Sequence, residues 1–178
     1  MHVKPKTMAF GGLLLALSVV CMALGSVIET NTLFLLAAAS YFVGIVIREF
    51  GMRVGAAFYV ADVLLGFMTA PNKFYVISFA AMGFYILIIE AAWRLMAKDH
   101  RMQKTVIFWV IKYIVFNIMF VPMILFFQEV LFGGKSLSGM FLVGIVAAGQ
   151  IGLFIYDRAY DYVQSHIWTK FRGRMFRQ

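Results

Sequence analysis

The stretch Met8–Ile28, MAFGGLLLALSVVCMALGSVI, carries no charged residue and follows closely on Lys4 and Lys6. Wound as an α-helix at about 1.5 Å per residue it is about 30 Å long, the thickness of a bilayer's hydrocarbon core. Five more apolar runs follow: Leu33–Ile47, Val54–Ala70, Phe74–Trp93, Val106–Phe132 and Leu137–Tyr156. Short polar or turn-forming stretches separate them, such as Arg48-Glu49-Phe50-Gly51, Ala70-Pro71-Asn72-Lys73 and Gly133-Gly134-Lys135-Ser136. A membrane β-barrel would show segments of about ten residues with alternating polarity. These runs are continuously apolar instead, so the expected fold is all-α, a compact bundle of six transmembrane helices.

Composition agrees: 63% of the 178 residues are hydrophobic and 13% charged, far from the soluble norm. Residues 1–157 read as one membrane domain and residues 158–178 as a basic cytoplasmic tail. The start of the chain resembles a secretory signal, with Ala23-Leu24-Gly25 as a weak cleavage site. Five further spans favour a retained first helix.

Lysine and arginine set the orientation. With the N-terminus in the cytoplasm and six alternating spans, 13 basic residues fall inside and only Lys73 and Lys135 outside. Both termini are therefore expected to be cytoplasmic. The net charge of +8 is read as topology, not as nucleic-acid binding. The anticipated setting is a bacterial inner (cytoplasmic) membrane.

Small residues mark helix faces on which backbones can approach. Ala9, Gly12, Ala16 and Ala23 share one face of the first helix. Gly144, Ala148 and Gly152 make a groove on the sixth, and Ser40 and Gly44 a shorter one on the second. Each is a packing seam within the bundle or, for the first helix, a docking face for another protein.

Polar groups in lipid are costly unless paired or wet. Asp62 lies about 13 Å up the third helix from Arg53, and Lys112 about 12 Å up the fifth from Lys104. They share one depth and are able to pair across the bundle, with Gln150 in the same layer. Asn117 sits in the outer half of the fifth helix, ahead of Pro122, which disturbs the helical ladder. With Gln128 and Glu129 it forms one wall of an outward cavity, completed by Glu29, Asn31, Asn72, Lys73 and Tyr75 from the short outer loops. Mixed polar groups rimmed by Phe34, Phe74, Phe126 and Phe127 suit a small-molecule pocket. Ordinary headgroup contact is the alternative account. Glu49 with Arg53, and Glu90 with Arg94, read as pairs four residues apart. Tyr160, Val163, Ile167 and Phe171 recur at helical spacing among Lys170, Arg172, Arg174 and Arg177, as in a basic amphipathic helix on the inner leaflet.

No catalytic constellation stands out. The chain has no phosphate-binding glycine motif with lysine, and no histidine-based metal motif. His2, His100 and His166 are scattered, the lone Cys21 has no disulfide partner, and Ser78 and Ser138 have no histidine in a span. No enzyme activity, cofactor or metal is expected.

The six spans, and the small residues in Met8-Ala9-Phe10-Gly11-Gly12-Leu13-Leu14-Leu15-Ala16-Leu17, resemble the substrate-binding S component of energy-coupling factor (ECF) transporters for vitamins and micronutrients. Gly12-Leu13-Leu14-Leu15-Ala16 stands where that family has an Ala-x-x-x-Ala docking motif, with glycine for the first alanine. The resemblance implies capture of a small molecule from outside, docking on a transmembrane coupling subunit, toppling in the membrane, and release driven by separate cytoplasmic ATPases. Membrane lipids are the remaining partner. Small membrane subunits of the bacterial rod-shape assembly have a similar fold and give the alternative: a non-transport scaffold. A self-contained carrier using Asp62 and Lys112 is disfavoured by the lack of an inverted repeat.

Overall fold

A computed structural model describes residues 5–97, 104–126 and 139–175. Among them, six helices are long and apolar enough to cross a membrane. They are α1 (Pro5–Val27), α2 (Thr32–Phe50), α3 (Met52–Thr69), α4 (Lys73–Ala97), α5 (Lys104–Phe126) and α6 (Gly139–Tyr162). A wider π-helical turn, Val163–Trp168, carries α6 into α7 (Thr169–Met175). The protein is thus a multi-pass helical membrane protein. Its helices fall into two compact units, Met1–Lys98 and Asp99–Gln178.

In the first unit each helix buries one stripe spaced by three or four residues, the period of a helix with one packed face. On α1 the stripe is Phe10, Leu14, Ser18, Met22 and Gly25; on α3 it is Gly55, Phe58, Asp62 and Gly66. On α4, Val76, Phe79, Gly83, Ile86 and Glu90 are buried. α2 is buried most thoroughly, and it packs against α1, α3 and α4. Ser40 and Gly44 lie inside this packing. Thr32 Oγ1 donates to Gly25 O at 2.8 Å and ties the start of α2 to the end of α1.

The break expected at Arg48–Gly51 shrinks to Gly51 alone, which has φ +93° and serves as C-cap of α2 and N-cap of α3. Only glycine enters that conformation without strain. Arg48 and Glu49 continue the helix because charged side chains at a membrane edge can reach water from a helical backbone. The tight link brings α3 onto α2 so closely that a Cβ on Gly55 would lie 2.1 Å from Ile47 Cγ1.

The charged pairs also differ from the sequence expectation. Glu49 and Arg53 flank Gly51 and so belong to different helices, where a four-residue spacing no longer sets neighbours. Glu90 bonds across to α2, with Arg48 Nη2 2.6 Å from its Oε1. Arg94 Nη2 donates to Ile47 O at 2.5 Å. That carbonyl also accepts the Gly51 N–H at 3.0 Å and lies at the negative end of α2, where a cation is favourable.

In the second unit α5 pairs antiparallel with α6. α6 does not stop at Asp157: no glycine or proline interrupts residues 153–172, and the helical course extends through the π turn. The part of the fifth apolar run beyond Phe126 lies outside the described residues.

Candidate functional site

Within the second unit two polar contacts join α5 to α6. Lys112 Nζ lies 2.6 Å from Asp157 Oδ2 and 3.8 Å from Asp161 Oδ2. The Lys112 side chain is 4% exposed and that of Asp157 is 0%, so this ion pair is buried. The ammonium also lies over the rings of Phe108 and Trp109, 4.5 and 5.0 Å from their centroids. Further along, Asn117 and Gln150 form a reciprocal amide pair. Gln150 Nε2 donates to Asn117 Oδ1 at 2.8 Å, and Asn117 Nδ2 donates to Gln150 Oε1 at 3.2 Å. Asn117 Nδ2 also donates to Tyr113 O at 2.8 Å.

Within this unit Lys112 takes Asp157 as its partner, and Gln150 takes Asn117. Depth along a helix fixes height but not the direction a side chain faces, and an acid at the right height was present on α6. Asp157 was missed because it falls at the edge of the apolar run. A signal was nevertheless there: Lys112–Asp157 and Asn117–Gln150 are centred in sequence within about half a residue of Gly134, as in a helical hairpin.

In the first unit Asp62 is fully buried, with Oδ2 2.5 Å from Ser18 Oγ on α1. Ser18 was missed, since a lone hydroxyl in an apolar run gives no pattern.

Of the residues expected to line an outer cavity, Asn72 and Lys73 bond to nearby backbone. Asn72 Oδ1 accepts the Phe74 N–H at 3.0 Å and caps the start of α4. Lys73 Nζ donates to Ala70 O at 2.9 Å and to Phe67 O, satisfying the end of α3. Asn31 is exposed in a short 3-10 turn that also contains Glu29, and Tyr75 is half-buried. Gln128 and Glu129 lie outside the described residues. Among the described residues no group of three or more His, Cys, Asp or Glu side chains could hold a metal ion.

The small face of α1 points away from the packing. Ala9, Gly12 and Ala16 are exposed, Ala23 is half-buried, and a Cβ on Gly12 would meet nothing within 4 Å. The buried stripe Phe10, Leu14, Ser18 and Met22 occupies another side of the same helix. The α6 groove is open in the same way at Gly144 and Gly152.

Substituting Asn117 by Leu leaves Gln150 without its amide partner. A stability loss of about 1 kcal/mol is expected, the scale of interhelical hydrogen bonds in membranes. Chemical unfolding in detergent measures it; a loss near zero would mean that the pair is replaced by water.

Comparison with protein-family models, curated proteins and solved structures gives no match.

Proposed function

We propose that the protein is a membrane-embedded subunit of a larger assembly, docked through the smooth face of α1 in the manner of the S component of an ECF-type vitamin or micronutrient transporter. The observation that carries this reading is the open face at Ala9, Gly12 and Ala16, on a helix whose packing needs are met elsewhere. In lipid, association rests on close backbone packing, which a face of small residues permits. Both termini lie in the cytoplasm of a bacterium, as the lysine and arginine distribution supports. A transmembrane coupling subunit and cytoplasmic ATPases are the partners, and a small molecule taken from outside is the cargo.

A scaffold subunit of the cell envelope is the second reading. It is favoured by the local bonding of Asn72, Lys73 and Asn117, which gives these side chains structural work. Native mass spectrometry after gentle purification separates the two. A retained small molecule, or co-purified coupling and ATPase subunits, supports transport; cell-wall assembly proteins and no small molecule support the scaffold.

Gly12→Leu tests the docking face itself. The leucine side chain has open space, so folding is expected to be unchanged. The co-purified partner is expected to fall at least about tenfold, equivalent to about 1.4 kcal/mol. Undiminished partner recovery would remove the docking role from this face.

A further inference from the structure

Asp62 presents an accounting problem that the packing of α1–α4 does not resolve. It is 0% exposed, and its Oδ1 has no hydrogen-bond partner among the described residues. Within the first unit no ion pair reaches it among the described residues; Arg48 is bonded to Glu90. Ser18 Oγ contacts two acceptors, Asp62 Oδ2 at 2.5 Å and Ala39 O at 3.4 Å. A serine hydroxyl has a single proton to donate. With an ionised carboxylate, one of these two contacts sets lone pair against lone pair. An unpaired carboxylate in a lipid-embedded interior is also far more costly than a neutral acid.

The neighbouring groups offer no other remedy. Cys21, three residues beyond Ser18 on α1, brings no positive charge. Tyr59, on the same helix as Asp62, donates its hydroxyl to Ala80 O on α4 at 2.8 Å. Ser40 on α2 donates to Ala37 O.

We propose that Asp62 is a proton-binding site: its carboxyl is held in the acid form, Oδ2–H donates to Ser18, and the Ser18 hydroxyl donates onward to the Ala39 carbonyl. One added proton then completes both contacts of Ser18, and the remaining orphan is a neutral carbonyl oxygen. The relay runs from α3 through α1 to α2, so it joins three helices by a single chain of donors. The ligand assigned is a proton; among the described residues Asp62 belongs to no group of three or more His, Cys, Asp or Glu side chains that could hold a metal ion.

The test is an infrared difference spectrum between wild-type protein and Asp62→Asn, both in lipid nanodiscs at neutral pH. An amide is the near-isosteric neutral replacement and keeps a donor for Ser18. The expected result is loss of one carbonyl band of an un-ionised carboxyl, with a thermal midpoint changed by no more than a few degrees. Loss of carboxylate bands instead would overturn the assignment. Failure of Asp62→Asn to fold would also overturn it, since a neutral donor would then not suffice. Ser18→Ala supplies a second reading: the acid band should move to higher frequency as its acceptor disappears. A band that stays in place would refute donation to Ser18.

Discussion

Lys112→Met is expected to lose about 3–5 kcal/mol of stability, the scale for removing one partner of a buried ion pair. The variant leaves Asp157 fully buried beside an apolar side chain. Asp161 gives no relief, being a second acid, with a side chain 47% exposed. The damage comes from the stranded charge more than from the missing attraction. The double variant Lys112→Met/Asp157→Leu is therefore expected to recover most of the loss, because apolar replacements of a whole buried pair are often neutral or stabilising. Trp109, whose ring lies 5.0 Å from the ammonium, is a suitable fluorescence reporter of unfolding. If the single variant proves as stable as the double, the pair is wet in the membrane and its buried character is lost.

Gly55→Ala is expected to be damaging for the opposite reason, too many atoms. The added methyl would lie 2.1 Å from Ile47 Cγ1 and 3.0 Å from Ile47 Cα. The first contact is with a side chain that can move; the second is with backbone. Because Gly51 links α2 directly to α3, the helices cannot separate at this end without opening the cap. Overpacking of this kind costs about 1–3 kcal/mol and occasionally more. Ile47→Ala in the Gly55→Ala background should return part of that loss but not all, since the approach to Cα persists. Thermal unfolding in detergent would show it; an unchanged midpoint for Gly55→Ala would mean that α2 and α3 make room for the methyl group without cost.

The sequence was informative about lengths and heights and poor about directions. Apolar runs of bilayer length sufficed to find six helices, because in lipid the backbone must satisfy its own hydrogen bonds. Height along a helix was also readable, and Asp62 and Lys112 are both buried as polar groups inside spans. Which way each faces depends on helix rotation, so height alone did not name the partners found within each unit, Ser18 for Asp62 and Asp157 for Lys112. A near-mirror about Gly134 held the register to within one residue for Asp157 and Gln150 and required only that α5 and α6 be taken as a hairpin. Ser18 lay beyond such reasoning, since its role follows from α1 and α3 packing side by side. The outer cluster was assembled from chemical type alone. Asn72 and Lys73 had backbone partners within six residues, and local acceptors at helix ends win over distant ones because little chain entropy is lost in reaching them.

Gly51 has a consequence for the life of the chain before it is folded. A single residue between α2 and α3 leaves no polar loop on which an insertion machine could pause after releasing one helix. With Gly51 alone between them, α2 and α3 are expected to enter the bilayer as a pair. Arg48 and Arg53 flank the bend and arrive at the same membrane surface, where their charge resists translocation of the bend. Lengthening this link would therefore alter how the protein is made as well as how stable it is once made.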